Sequence, residues 1–210
     1  MSQIFIIAGS VLTGMLGIWM GYTAFYEGRL SSPNYKVITT DKSFEIREYA
    51  PFTLASTAIP TQGDKALSQG FRTLARFIFG GNHQSESLAM TAPVLQQNGA
   101  EVGLLSSADS QGMTMAFVMP IERSFESIPK PNQASVALQS VSWGTVASFR
   151  FSGRASTTDF QRAEVELRGW MSDQGYEAKG AASYAQYNSP SAFPALRRNE
   201  VLIQIETTEL

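Results

Sequence analysis

The chain opens on an apolar run, Ile4 to Tyr26, in which no side-chain charge appears before Glu27. As a helix these residues span roughly 34 Å, enough to cross a hydrocarbon core of about 30 Å. Trp19, Tyr22 and Tyr26 suit an interfacial aromatic belt. The pattern predicts an uncleaved, single-pass N-terminal transmembrane helix, with residues 1–30 as a membrane anchor. A cleaved signal peptide is the competing reading, but the run lacks a basic start and a small-x-small cleavage site. Arg29 and Lys36 follow the run, which by the positive-inside rule places the domain in the cytoplasm. Gly17-x-x-x-Gly21 would let two such helices approach and form a homodimer; ordinary glycine content of a membrane helix is the other reading.

From Tyr35 onward the pattern is that of a soluble domain, residues 31–210. "KSFEIREY" alternates, Phe44 and Ile46 on one face and Glu45 and Arg47 on the other, which is strand periodicity. "FTLASTAI" predicts a second strand. Leu67, Phe71, Leu74 and Ile78 then recur at helical spacing, after a Thr61–Asp64 capping box and before Gly80-Gly81. "LAMTAPVLQ" and "MTMAFVMP" read as two further strands. The second half repeats the order: strands in "SVALQSVSWGTVASFRFSG", a helix in "TTDFQRAEVELRGWMSDQGY", strands in "AASYAQYNSP" and "EVLIQIET".

Two local matches support a duplication. "TLAS" at 53–56 answers "TVAS" at 145–148, and "TAP" at 91–93 answers "NSP" at 188–190. The expected fold is α+β: two pseudo-symmetric βαββ-like repeats, about 35–120 and 135–207, joined by the Pro-rich "ESIPKPNQA". Each repeat has an apolar sheet face to bury, so the two should curl into a distorted antiparallel β-barrel with a helix flanking each half.

Composition narrows the chemistry. The 210 residues carry a net charge of −2, so there is no electrostatic footprint for nucleic acid. Cysteine is absent, which removes disulfides, thiolate nucleophiles and zinc-thiolate or iron–sulfur sites. His83 is the single histidine, so one chain cannot build a multi-histidine metal site. No Gly-x-Ser-x-Gly elbow, Walker loop or dinucleotide fingerprint occurs.

What remains are candidate binding groups, each with a plain structural alternative. His83 can ligate haem iron or be a solvated residue at a helix exit. Met90, and Met113, Met115 and Met119 beside Phe117, offer thioethers, though such stripes commonly fill cores. Lys65, Arg72 and Arg76 share one face of the first predicted helix, where they can bind carboxylates or simply be solvated. Arg197-Arg198 carries the same ambiguity.

The segments "FIFGGN", "SLAMTAPV" and "MTMAFVMP", with "YKVITTDKSFEIREYAPFTLAST" and "GTVASFRFSG", resemble the SOUL haem-binding protein family over about Tyr35 to Glu206. That resemblance implies non-covalent, non-enzymatic binding of haem or a related tetrapyrrole. It implies an apolar surface near the first helix with basic residues near the propionates. Phe71, Leu74 and Ile78 with Lys65, Arg72 and Arg76 are the positions that would fill those roles. The N-terminal anchor departs from soluble members and implies a membrane-tethered module. The two-repeat fold also resembles effector-binding domains of some bacterial regulators. An enzyme or sensor acting on another small hydrophobic ligand, using Glu45 or Glu48, is the alternative reading. A scaffold with an empty barrel is a third.

Overall fold

The computed structural model describes residues 19–25, 27–59, 64–98, 105 and 112–206. The described residues form nine strands, some alternating and some buried on both faces: β1 (Tyr35–Asp41), β2 (Phe44–Tyr49), β3 (Phe52–Ile59), β4 (Val94–Asn98), β5 (Met113–Val118), β6 (Ala137–Val141), β7 (Gly144–Phe151), β8 (Ser183–Gln186) and β9 (Asn199–Gln204). Two helices interrupt them, α1 (Asp64–Ile78) and α2 (Thr157–Asp173).

The strands make one antiparallel sheet in the order β1-β2-β7-β9-β8-β4-β5-β3-β6. Apart from β1, that order is a palindrome of equivalent strands about the β8–β4 pair. β3, α1, β4 and β5 correspond to β7, α2, β8 and β9. The strand preceding each unit crosses over: β2 pairs with β7 and β6 pairs with β3. The duplication is therefore interlocked, each half completing the other's sheet. "TLAS" and "TVAS" fall on the equivalent strands β3 and β7. The second match does not survive, because "TAP" precedes β4 whereas "NSP" follows β8.

The sheet curls but does not close, so the expected barrel is a half-barrel with β1 and β6 as its edges. The curl brings the β2–β3 corner onto the β6–β7 corner, where the Trp143 ring meets Tyr49 at 5.2 Å and Phe52 at 4.7 Å. Side chains fill the hollow before a ladder can form there. Leu54, Leu95, Val118, Val146 and Leu202 pack inside, and the gap among Tyr35, Tyr49, Pro93, Trp143, Tyr187 and Leu202 is too small to admit a water molecule.

Each helix covers the outer face of its own half. Leu74, Phe77 and Ile78 of α1 pack on Ala55, Met113, Met115 and Phe117. Phe160, Ala163, Leu167 and Met171 of α2 pack on Ala147, Val201 and Ile203. Helix α2 starts in a capping box, Ser156 Oγ accepting from Asp159 N–H while the Asp159 carboxylate accepts from Ser156 N–H. Thr61, half of the box predicted for α1, lies outside the described residues.

Two expectations change. Only the last three residues of "LAMTAPVLQ", 94–96, are strand, the start of β4; residues 88–93 approach it irregularly, through a cis Ala92–Pro93 peptide. Residues 4–18 and 26 of the predicted transmembrane helix lie outside the described residues, and no helix among the described residues is long and apolar enough to cross a membrane. Residues 19–25 are helical and lie against the domain.

Candidate functional site

Helix α1 presents two different faces. Leu74 is 0 % exposed and Ile78 2 %, so both belong to the core under the helix and neither reaches the surface. Lys65, Arg72 and Arg76 point the opposite way and are exposed. None of the three enters an ion pair among the described residues. Arg72 and Arg76 stand one turn apart, with their Cβ atoms about 5–6 Å from each other, so the two side chains leave the helix as neighbours.

Apolar surface flanks these cations. Phe71 is 38 % exposed and meets Phe117 edge to face at 5.2 Å, and Phe79, just beyond the helix, is 62 % exposed. Phe71 thus keeps part of its surface open beside its ring partner, and Phe79 adds a largely open aromatic surface. Phe79 and the buried Phe77 lie outside the residues singled out from the sequence; Phe77 follows Leu74 at helical spacing, whereas Phe79 falls just past the helix end.

The loop after α1 is built around Asn82. Its side-chain amide donates to the carbonyls of Phe77 and Glu86, and its oxygen accepts from the backbone N–H groups of Gln84 and Glu86. Gly80 turns at φ 101°, and the Gly81 N–H closes on the Arg76 carbonyl at 2.8 Å. A Cβ at Gly81 would lie 2.5 Å from that carbonyl oxygen, so only glycine fits. His83 is exposed on this loop, with its backbone N–H tied to the Lys130 carbonyl. Met90 is 38 % exposed, whereas Met113, Met115 and Met119 are buried beneath α1 and offer no open face.

The polar side of β2 holds a cluster the sequence pattern did not single out. Arg47, on the face opposite Phe44 and Ile46, is buried rather than solvated. Its guanidinium grips the fully buried Glu200 of β9 with two hydrogen bonds, 2.7 and 3.0 Å, and Glu45 with a third at 2.7 Å. Arg198 Nε donates to the same Glu200 carboxylate at 2.9 Å, as does the Tyr187 hydroxyl. Tyr35 and Tyr187 lie under the Arg47 and Arg198 guanidinium groups, respectively. Burial alone would raise the Glu200 carboxyl, but Arg47, Arg198 and Tyr187 together outweigh it and hold the group below its usual value. Burial also pushes the neighbouring Tyr49 up to about 12. Arg197 turns away and caps its own loop, donating to the carbonyls of Ala192 and Pro190. A signal for this cluster existed in "FEIREY" and "NEVLIQ", where Arg47 and Glu200 carry charge among apolar strand positions, but nothing in either pointed to the other.

Concave surface lies elsewhere, at the rim below β2 and β3. A groove of about 400 Å³ is lined by Tyr35, Lys36, Glu48, Tyr49 and Pro51. It continues past Asn34, Ala50 and Pro51 into a second of about 220 Å³ walled by Phe52, Ile121 and Phe125. Glu48 lines this groove; Glu45 is committed to Arg47.

The sequence profile described as SOUL heme-binding protein matches residues 30–204. The human protein named Heme-binding protein 2 is 29 % identical over 169 residues, covering 80 % of each chain, and its mouse counterpart is 28 % identical over the same share. Among solved structures, the EcmrR C-terminal domain superposes with a TM-score of 0.57 at 13 % identity, covering 83 % of this chain and 99 % of that one. A hydrolase from Listeria innocua superposes with a TM-score of 0.51 at 10 % identity, covering 80 % and 94 %. At those identities the two structures share the fold alone. The interlocked ββαββ duplication and the profile match over nearly all of the domain agree, and the chain belongs to the SOUL heme-binding protein family.

Proposed function

We propose that this chain binds haem or a related tetrapyrrole non-covalently, without catalysing a reaction, on the outward face of α1, and that residues 4–26 tether it to a membrane. The observation that carries the ligand reading is the pairing of unpartnered Lys65, Arg72 and Arg76 with exposed Phe71 and Phe79 in a chain of this family. A tetrapyrrole is a flat apolar disc with carboxylates on one edge. Arginines one turn apart can take two carboxylates, each by charge-assisted hydrogen bonds. Phe71 and Phe79 supply flat apolar contact. The bound group would supply an iron centre; from this chain, the exposed His83 imidazole and Met90 thioether are the donors at hand. Leu74 and Ile78 hold the helix in place beneath.

The tether reading is supported by the sequence of residues 4–26 and by the way residues 19–25 and 27–29 join the domain. Thr23 is 1 % exposed and accepts the Phe193 N–H, and the buried Glu27 carboxylate accepts from Asn188 and Ser189. Cleavage between these residues would remove contacts built into the folded domain.

The rim groove favours a second location for a small hydrophobic ligand, because it is concave and carries an apolar wall of Phe52, Ile121 and Phe125. It does not favour an enzyme. General acid–base work needs a carboxyl poised near the working pH; of the two buried acids among the described residues, Glu200 is held low by its paired cations and Glu27 is taken up by Asn188 and Ser189, and neither lines the groove.

The test is a hemin titration of the full chain in phosphatidylcholine vesicles against empty vesicles. A saturable Soret shift at micromolar protein is expected; its absence overturns the ligand reading. Loss of the shift in Ile121→Ser/Phe125→Ser, with Arg72→Gln/Arg76→Gln unaffected, would move the site from α1 to the rim.

A further inference from the structure

The residues that leave the apolar N-terminal run do not swing free. Trp19 Nε1 donates to the Ser191 carbonyl at 2.7 Å, and the Trp19 ring meets Phe193 edge to face at 5.1 Å. One turn on, Thr23 Oγ1 accepts the Phe193 N–H at 2.9 Å. Glu27 closes the joint, its carboxylate accepting from the Asn188 side chain and from the Ser189 N–H and hydroxyl. A buried carboxylate with three donors resists displacement, because opening the joint leaves charge and donors unpaired. The loop between β8 and β9 is thus fastened to the chain at Trp19, directly after eighteen residues without a charge.

The surface around that joint has two components. Along residues 19–25, Met20, Tyr22 and Phe25 are exposed, Phe25 at 69 %, and Leu196 is exposed on the loop fastened to them. Beside them stand cations. Arg29 is exposed just past Glu27, and Arg154 is exposed close enough to Arg197 for the two guanidinium charges to act on each other. Neither Arg29 nor Arg154 enters an ion pair among the described residues. Exposed apolar and aromatic side chains with two cations outside any ion pair among the described residues, at the end of an uncharged run, match the interface of a bilayer with anionic headgroups.

We propose that the face formed by residues 19–25, the Leu196 loop, Arg29 and Arg154 seats the domain on an anionic bilayer in one fixed orientation, rather than leaving it on a flexible stalk. This rests on the tether proposed above. The opposite end of the domain, where the Glu177 carbonyl accepts from Glu206 beyond the end of β9, then points away from the membrane.

The absence of cysteine makes the test direct, since one introduced thiol labels one position. Leu196→Cys and, separately, Glu177→Cys are labelled with a fluorophore in the full chain and reconstituted into vesicles of phosphatidylcholine and phosphatidylglycerol containing brominated lipid. A carbonate wash comes first: release of the protein overturns the tether itself. With the protein retained, the expected result is several-fold stronger quenching at position 196 than at 177. Equal quenching overturns the seat while leaving the tether standing. Arg29→Gln/Arg154→Gln should reduce the quenching at 196 in anionic vesicles and have little effect in pure phosphatidylcholine. An unchanged signal in anionic vesicles would overturn the headgroup contact.

Discussion

Arg47 and Glu200 lie 2.7 Å apart, both buried, on strands separated by β7 and 153 positions apart in the chain. Arg47 comes from the first strand exchanged between halves, and Glu200 from the last strand of the second half. Their contact therefore locks the interlocked duplication where the two halves cross. Removing the cation should leave a buried carboxylate held by Arg198 and Tyr187 alone. Arg47→Met is expected to cost about 3 kcal/mol, read as a lower urea midpoint. A change within about 0.5 kcal/mol would show the pair to be energetically idle.

The same carboxylate sets an acid limit. Glu200 is held below its usual 4.5 in the fold, whereas in the unfolded chain it titrates normally. As pH falls, the unfolded state takes up its proton first, so the stability that Glu200 contributes is present above about pH 4.5 and lost below it. Urea midpoints should stay level from neutral to about pH 5 and then decline. Glu200→Gln, less stable throughout, should show a shallower decline.

An alkaline counterpart concerns the tyrosines. Burial raises Tyr49 to about 12 and Tyr187 well above 10, and burial followed by the hydrogen bond to Glu164 raises Tyr184. Their neutral forms are favoured by the fold, so this stability is present below about pH 10 and lost as pH rises beyond it. Phenolate absorbance of the native protein should show three of the seven tyrosines ionising late, in one step with unfolding. Seven normal titrations would contradict the buried cluster.

Helix α1 should separate stability from ligand binding by face. Leu74→Ala is expected to cost about 2–5 kcal/mol through the cavity it leaves. Arg72→Gln/Arg76→Gln should change stability by no more than about 0.5 kcal/mol and weaken hemin binding about tenfold or more, equivalent to about 1.4 kcal/mol. His83→Ala then reports on ligation: an altered Soret position assigns the imidazole to iron, and an unchanged one makes it a loop residue.

The N-terminal joint can be probed by protease. Glu27→Ala strips the acceptor from Asn188 and Ser189, leaving donors unpaired at about 1–3 kcal/mol. Tryptic cleavage at Arg29 should accelerate about tenfold in a time course, while cleavage elsewhere keeps its rate. No acceleration would mean that the carboxylate does not hold the segment down.

Much of this molecule is legible along the chain. Alternation at Phe44, Ile46, Val201 and Ile203 and helical spacing at Leu74 and Ile78 mark the elements, because each element must bury one face and its period is set by backbone geometry. The motifs around "AMTAPV" and "FVMP" mark the family. The same periodicity could not say which side of α1 a ligand meets: Leu74, Ile78 and Phe71 share a stripe, and only packing against β3 and β5 leaves Phe71 at the rim. Nor could it separate a solvated charge from a buried one. Arg47 reads as the polar side of a strand until the sheet curls and turns that side inward against Glu200, a partner that only long-range strand order supplies. The chain by itself determined which segments become strands and helices, since that is a local matter of period and propensity. The tertiary structure decided that the barrel stays half open, that the first strand of each half is exchanged, and that the apolar run is fastened to the domain at Trp19 and Glu27. Those outcomes depend on contacts between residues far apart in sequence, whose free energy no local pattern encodes.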